Sequence, residues 1–317
     1  MPVTHDAIGE WFAAIASLGE DTDIHFGCVD AKGAAPRWFE MSHTRFDGIG
    51  GFADLLRKNG HPALGSLPEL KEGRTFGVMQ LVRAWARYVF RLRPTYVFAT
   101  LPEPRKTSSR TAVRVFDDDE TARIAQRAKS LGVTMNTLLL DRITRVVRRQ
   151  LEHAPRDVAW MIPINMRGPI ALDRDTGNHS SFLEIGVREG EAETALQARV
   201  RNAIARAEHW AFWYIFKAGR AFGRMGRKLF MRMTIRGRPH WVGSFSNLGR
   251  WEPPGDGAAP WAWVFFPPPV PSQPLGVGCV TYRGRLGIAL QIHASLTTDG
   301  AVAERWIDDI GRELLDG

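Results

Sequence analysis

Strand-like and helical segments are mixed irregularly along this chain, and their order is the feature that most constrains the fold. Runs typical of β-strands lie near residues 23–29, 37–44, 276–282 and 286–293, with helical periodicity between and after them. A Rossmann fold would need strict strand–helix–strand alternation, which this order lacks. We therefore predict an α/β protein with mixed sheets, arranged as a two-layer sandwich.

The composition is typical of a globular chain. Its 317 residues are 44% hydrophobic, which is enough for one large domain or two half-sized ones. No apolar run reaches the roughly 20 residues that span a bilayer, and the first residues lack the pattern of a secretory signal. Cys28 and Cys279 fit no metal-ligand spacing. We expect reduced thiols and a cytoplasmic protein.

The chain is basic, with a formal net charge of +8. Such a surface attracts phosphates, acidic proteins or anionic membranes. The sequence contains no helix-turn-helix, zinc-finger or RNP-like pattern, so we expect no nucleic-acid partner.

The N-terminal region leads to a histidine at the end of a predicted hairpin. Residues 6–18 have apolar side chains at helical spacing, with Asp6 as the predicted cap. The first two predicted strands flank a turn at residues 30–33, and the second strand ends near His43. Residues 48–51, three of them glycine, predict a further turn before the next helix.

His43 begins the pattern His-x-x-x-Asp-Gly, which Asp47 and Gly48 complete. A histidine at such a junction can act as a general base near neutral pH. Asp47 would either orient the imidazole ring or hold the turn. On its own, a histidine before an Asp-Gly turn belongs more often to a capped turn than to a catalytic site, so the rest of the chain must decide.

An extended connector over residues 94–109, with prolines and serines, predicts the boundary between two halves. We place these halves at residues 1–105, which carry the histidine motif, and at residues 106–317. The second half contains predicted strands at 158–165 and 182–187, and predicted helices at 192–209 and 301–315.

Five further stretches support one interpretation of the histidine motif. They are GVTMNTLL at 132–139, IPINMR at 162–167, GN at 177–178, SNLG at 246–249 and YRGRLGI at 282–288. Together with the motif, they resemble the chloramphenicol acetyltransferase-like acyltransferases. These include nonribosomal peptide synthetase condensation domains, plant alcohol acyltransferases, and the wax ester synthase/diacylglycerol acyltransferase group. The family often has a second histidine where this chain has Ser42, and a longer N-terminal half.

The resemblance implies a chloramphenicol acetyltransferase-like fold of two pseudo-related halves, with a tunnel between them and His43 near its middle. His43 would take the proton from the hydroxyl or amine of a hydrophobic acceptor as that group attacks a thioester. The donor would be acyl-coenzyme A or an acyl-carrier protein, and no cofactor would be permanently bound.

The resemblance also assigns roles to other residues. Asp47 would be structural and would pair with an arginine, for which Arg167 is the predicted partner and Arg45 the alternative. The predicted substrate-binding residues are Gly48, Asn178, Ser246 and Asn247. An alternative function is a non-catalytic docking protein that binds a carrier protein or an acyl ligand. A cyclase or isomerase that uses His43 is a third.

Other classes of site have little support in the sequence. A serine hydrolase needs a Gly-x-Ser-x-Gly elbow, and residues 243–247 break that pattern at its last position. The nine histidines are scattered and no His-Glu-x-x-His occurs, so we predict no metal site. Residues 48–51 lack the pattern of a phosphate-binding loop.

Residues 206–241 mix arginine and lysine with many aromatic side chains. One interpretation is a helix with its aromatic residues in the core and its arginines in water. The other is a surface that docks on a membrane, receives an acidic carrier protein or binds the phosphates of coenzyme A. The sequence leaves both open.

Overall fold

The structure is a computed structural model. It describes residues 6–30, 35–59, 64–71, 77–90, 95–99, 110–235, 239–253, 261–297 and 299–316. Most of the predicted turn at 30–33, and the predicted boundary between residues 105 and 106, lie outside the described residues.

Helices and strands together make up most of the described chain. The helices are α1 (Ala7–Ala16), α2 (Gly48–Lys58), α3 (Val78–Phe90), α4 (Asp118–Ser130), α5 (Met135–Arg148), α6 (Glu193–Ala205), α7 (Glu208–Ala218), α8 (Gly223–Ile235) and α9 (Gly300–Leu315), with a 3₁₀ turn at Gly219–Phe222. The strands are β1 (Asp23–Val29), β2 (Arg37–Ser42), β3 (Thr111–Phe116), β4 (Asp157–Asn165), β5 (Ser180–Arg188), β6 (Gly243–Trp251), β7 (Ala262–Phe266), β8 (Leu275–Tyr282) and β9 (Arg285–Ile292). Within the described ranges, no helix is both long and apolar enough to cross a bilayer.

The strands form two sheets, which confirms the predicted α/β fold. An antiparallel three-stranded sheet has the order β2-β1-β7, and a six-stranded sheet has the order β3-β9-β8-β6-β4-β5. The larger sheet is mixed, because β6 runs parallel to both β4 and β8 while the other pairs are antiparallel.

The largest hydrophobic core lies where α5 and α9 pack against the six-stranded sheet. Its helical members follow the spacing that places side chains on one face: Leu138, Leu139, Ile143, Val146 and Val147 on α5, and Val302, Trp306, Ile307 and Ile310 on α9. Thr134 caps α5 by accepting a hydrogen bond from the backbone of Thr137. Trp160 on β4 enters this core and donates to Thr144 on α5 at 2.9 Å.

Strand β7 joins the two sheets. It is hydrogen-bonded to β1 through the register His25↔Phe266 to Val29↔Ala262. It also crosses β8 at Gly278, where an added Cβ would overlap the carbonyl oxygen of Phe265. Glycine therefore allows the two backbones to meet at this crossing. The result is that a strand from the C-terminal half completes the sheet that carries the histidine motif.

Two sequence predictions about local structure are wrong. Residues 48–51 are the first turn of α2 rather than a separate turn, because the Asp47 side chain caps the helix. The predicted helix at 192–209 is broken between α6 and α7 at Ala207, which has a left-handed φ of 57°. Ala207 is buried in a cluster with Trp210 and Trp213, so tertiary packing outweighs its helix propensity.

Candidate active site

The histidine lies on a tight turn between β2 and α2. The backbone N–H groups of Arg45 and Phe46 both donate to the carbonyl of Ser42 at 3.0 Å, which closes this turn. Asp47 then caps α2 by accepting from the backbone of Gly50 at 2.7 Å. His43 is therefore held by a strand on one side and a capped helix on the other.

Asp47 is buried and fully hydrogen-bonded. Its two oxygens accept a bidentate pair from Arg167, both at 2.9 Å. They also accept from the backbone N–H groups of Gly50 at 2.7 Å and His179 at 2.8 Å. The carboxylate thus holds the turn rather than the imidazole ring, since its contacts are made with Arg167 and with backbone.

Arg167 links Asp47 to the loop between β4 and β5. Besides the carboxylate, its guanidinium donates to the carbonyls of Asp175 at 2.8 Å and Gly177 at 3.1 Å. Arg45, the alternative partner named from the sequence, is instead exposed, with its guanidinium over the ring of Phe46. The buried cation beside Asp47 is therefore Arg167.

The hydrogen bonds of His43 define its tautomer. Nδ1 lies 2.8 Å from the carbonyl oxygen of Phe46, which can only accept, so Nδ1 carries the proton. Nε2 of the neutral ring then keeps its lone pair, and no described residue lies within hydrogen-bond distance of it. The ring also stacks on Phe12 of α1, with centroids 3.6 Å apart. This arrangement leaves Nε2 able to accept a proton from a bound molecule.

Burial lowers the pKa of His43 from 6.5 to about 4. The hydrogen bond to the Phe46 carbonyl and the charge of Asp47 act in the opposite direction but are smaller. At neutral pH the imidazole is therefore uncharged and available as a base, and the imidazolium that forms on protonation gives its proton up readily.

Two cavities meet at His43. One, of about 130 Å³, is mainly apolar and is lined by α1, α7 and α8 through side chains that include Trp11, Phe216 and Met231. The other, of about 90 Å³, is lined by polar groups of β5 and β6 among others. His43 contributes to both walls, as do Pro163, Phe182 and Pro267. A molecule in either cavity can therefore contact the imidazole.

Three of the predicted substrate-binding residues line the smaller cavity. These are Gly48, Ser246 and Asn247. Asn247 also accepts from the backbone of Gly249 at 2.9 Å, where the register of β6 against β8 shifts. Asn178 lines neither cavity within the described chain; its amide donates to the backbone carbonyl of His43 at 3.0 Å. Asn178 thus positions the histidine turn through the backbone of His43 rather than from a cavity wall.

Solved structures show which known fold this is, whereas the sequence matches no protein-family model and no curated protein. The epimerization domain from the third module of tyrocidine synthetase B superposes with a TM-score of 0.54 at 14% identity, covering 92% of this chain and 71% of that one. The chain has the condensation-domain fold. The resemblance inferred from the motifs is therefore confirmed at the level of the fold.

Two further condensation-type structures show the same similarity. The condensation domain from Monacolin K polyketide synthase MokA gives a TM-score of 0.55 at 13% identity, over 89% of this chain and 69% of that one. The cyclization-docking bidomain of EpoB from Sorangium cellulosum gives 0.54 at 16% identity, over 88% and 60%. This chain thus spans 60% to 71% of the three solved chains compared.

The sequence interpretation of this condensation-domain fold missed the residues that support the histidine turn from other elements. The helical spacing of residues 6–18 indicates only that Phe12 is on the apolar face of α1, whereas its ring stacks on His43. Gly9 allows this approach, because an added Cβ would overlap the carbonyl of Thr44. Ser180 donates to Asn178 at 2.6 Å and lines the smaller cavity. The apolar spacing of α1 was a visible signal, but it did not identify the partner.

A larger cavity lies elsewhere in the condensation-domain fold. It has a volume of about 480 Å³ and lies between α3, β5, α6 and α7. Two of its arginines are engaged: Arg199 by Glu191 and Arg188 by Asp157. His43 does not line it. Within the described chain, no group of three or more histidine, cysteine, aspartate or glutamate side chains could hold a metal ion.

Proposed function

We propose that this protein is an acyltransferase that moves an acyl group from a thioester to the hydroxyl or amine of a hydrophobic acceptor. The observation that carries this proposal is the neutral His43, with Nε2 unprotonated, at the junction of two cavities. Each cavity can bring one substrate into contact with the same base. The condensation-domain fold supports the same chemistry, because the similar solved structures come from nonribosomal peptide and polyketide synthases.

The proposed reaction proceeds without an acyl-enzyme. The acceptor binds in the apolar cavity, and Nε2 of His43 takes the proton of its O–H or N–H as the oxygen or nitrogen attacks the thioester carbonyl. A tetrahedral intermediate forms and its C–S bond then breaks. The imidazolium returns the proton to the departing thiolate, which the lowered pKa of His43 favours. Asp47 and Arg167 keep the turn in place throughout.

The donor is acyl-coenzyme A or an acyl-carrier protein, and neither is a permanently bound cofactor. The net charge of +8 suits both, because coenzyme A brings phosphates and carrier proteins are acidic. Ser246 and Asn247 in the smaller cavity supply polar groups near the position of the thioester. Asn247 has its Oδ1 occupied by Gly249, so its Nδ2 is the group offered to a substrate.

The test is thiol release from acetyl-, octanoyl- and palmitoyl-coenzyme A and from matching acyl-carrier proteins, with a panel of alcohols and amines. Wild type is compared with His43→Ala and with His153→Ala, a matched control at an exposed histidine. We expect acceptor-dependent release that falls by about 10²-fold or more in His43→Ala only. Equal rates in all three proteins would remove His43 from the mechanism.

A non-catalytic docking protein is the second candidate, and the size of the cavities favours it. At about 130 and 90 Å³, each is smaller than the roughly 300 Å³ at which ligand pockets usually begin. Binding of carrier proteins or acyl ligands to wild type, without thiol release from any donor, would support this second function. Turnover that depends on His43 would exclude it.

A further inference from the structure

Helix α8 has an inner face that belongs to the proposed site. Met231 lines the apolar cavity beside His43, and Ile235 is buried in a cluster with Ile15 and Val270. Arg227 forms an ion pair with Glu10 of α1 at 3.2 Å. The inner face therefore fastens α8 to α1 and forms one wall of the cavity.

The outer face of α8 exposes large apolar side chains to solvent. Met225, Leu229 and Met233 are 81%, 59% and 65% exposed, and Phe222, just before the helix, is 63% exposed. Positions four apart lie on one side of a helix, so the three α8 residues form a single stripe. We call these four residues the apolar stripe. Scattered exposed apolar residues are ordinary, but a contiguous set marks an interaction surface.

A row of cations runs beside the apolar stripe. Arg224, Lys228 and Arg232 repeat at the same four-residue spacing along α8. Among the described residues, no carboxylate lies within ion-pairing distance of these three. Arg220 and Arg227, by contrast, are held by Glu10. We call Arg224, Lys228 and Arg232 the basic row; its charge is not neutralised within the described chain.

The combination matches the interface of an anionic membrane. Apolar side chains of a surface helix enter the boundary between headgroups and acyl chains, and a neighbouring row of cations meets the anionic headgroups. The methionine and leucine side chains of α8, with Phe222 just before it, suit a fluid apolar phase. We propose that α8 docks on an anionic lipid membrane through the apolar stripe and the basic row.

Docking would also place the apolar cavity next to the bilayer. Met231 faces the cavity and Met233 belongs to the apolar stripe, so one helix separates the two. The thickness of a helix with its side chains is about 10 Å. We infer that the hydrophobic acceptor enters from the membrane, a step that rests on the proposed acyl transfer. The docking itself does not depend on it.

The first experiment is co-sedimentation with vesicles of phosphatidylcholine, with and without phosphatidylglycerol. One variant combines Met225→Gln, Leu229→Gln and Met233→Gln, and another combines Lys228→Gln and Arg232→Gln. The apolar control is Val78→Gln, Met79→Gln and Val82→Gln on α3, whose side chains are also exposed. The charge control is Arg123→Gln and Lys129→Gln, at exposed positions of α4.

We expect wild type to bind the anionic vesicles, less at high salt, and to bind phosphatidylcholine alone weakly. Each charge removed from the basic row should lower the partition coefficient by about fivefold. The triple change in the apolar stripe should lower it by roughly 10²-fold, because several buried CH₂ groups are lost. Both control variants should bind within about twofold of wild type.

Four outcomes would overturn the docking proposal. The first is no binding of wild type to anionic vesicles. The second is an equal loss of binding in the control variants, which would show that α8 is not the contact. The third is a dimer, seen by light scattering, that the apolar-stripe variant dissociates while vesicle binding is absent. Binding of an acidic carrier protein in place of vesicles would likewise replace the membrane as the occupant.

A kinetic comparison separates docking from the proposed function. Wild type and the two α8 variants receive either a water-soluble short-chain alcohol or a long-chain alcohol embedded in anionic vesicles. We expect the variants to match wild type on the soluble acceptor and to lose at least tenfold on the embedded one. Variants that keep the wild-type rate on both acceptors would contradict entry from the membrane. Failure of wild type on both acceptors would reject the acyl transfer, while sedimentation would still decide the docking.

Discussion

The Asp47 site and the outer face of α8 differ in which side chains they bury: the first buries charged groups, and the second exposes apolar ones. At Asp47 a carboxylate and a guanidinium are buried, and both oxygens of the carboxylate are hydrogen-bonded. At Phe222 and along α8, four large apolar side chains are exposed, while the cations of the basic row beside them lack a described carboxylate partner. Each arrangement is costly for an isolated chain.

The difference shows how the two regions are stabilised. The ion pair between Asp47 and Arg167 is stabilised by the chain itself, because both charges are matched by contacts within it. Folding does not bury the apolar stripe, so a partner that removes it from water lies outside the described chain. Changes at the first region should therefore alter folding, and changes at the second should alter binding.

The largest expected effect is on folding, from Asp47→Ala. This change leaves Arg167 buried without its carboxylate, and breaking such a pair costs about 3–5 kcal/mol. The measurement is the free energy of unfolding in urea. The control is Glu252→Ala, which removes an exposed pair with Arg250 and should cost less than about 1 kcal/mol. Similar losses in both variants would mean that burial does not distinguish the two pairs.

The next effect is the pH dependence of stability at His43. Its pKa is about 4 in the folded protein, against 6.5 for an ordinary histidine. Between these values the unfolded chain binds more protons, so the stability is complete above pH 6.5 and declines as the pH falls towards 4. The loss should be of order 3 kcal/mol. Unfolding measured from pH 7.5 to 4.5 should show a shallower decline for His43→Gln; parallel curves would contradict the lowered pKa.

A smaller effect is expected from Gly50→Ala, which tests the close packing around the Asp47 pair. An added Cβ would overlap the carbonyl of Thr176 and lie 2.8 Å from the guanidinium of Arg167. We expect a loss of about 1–3 kcal/mol in the free energy of unfolding. Gly65→Ala is the control, because a Cβ there meets no atom within 4 Å. A neutral Gly50→Ala would show that the loop at Thr176 shifts easily.

The smallest effect on folding is expected from Leu229→Gln in the apolar stripe. Because this side chain is mostly exposed, the free energy of unfolding should change by less than about 0.5 kcal/mol. The vesicle partition coefficient of the same variant should nevertheless fall severalfold. A loss of stability above about 1 kcal/mol would mean that Leu229 is buried in solution, and the contrast with Asp47 would then disappear.

Local elements followed from the sequence where short-range signals agree. The helix at the N-terminus, with Asp6 as its cap, and the final helix lie close to their predicted positions. The prediction was wrong at residues 48–51 and at Ala207. At the first the cap outweighed the glycines, and at the second burial imposed a left-handed residue that no local rule indicates.

The candidate site was only partly visible in the sequence. The motif indicated His43 and Asp47, and the family resemblance, rather than spacing, indicated Arg167. Phe12, Ser180 and the backbone of His179 were missed. Phe12 and the backbone of His179 contact partners far away in the sequence, and Ser180 lines its cavity together with distant residues of β6. Nothing in their own neighbourhoods distinguishes these residues from ordinary core or loop residues. The catalytic role of His43 and the substrate-binding roles named from the sequence stay predictions.

The sequence by itself determined the periodic segments, the caps and the spacing between His43 and Asp47, because these depend on residues a few positions apart. Only the tertiary structure decided that β7 completes the first sheet, that Arg167 reaches Asp47 and that two cavities meet at the imidazole. Such contacts join residues more than a hundred positions apart. They depend on the packing of the whole chain, which no local pattern encodes.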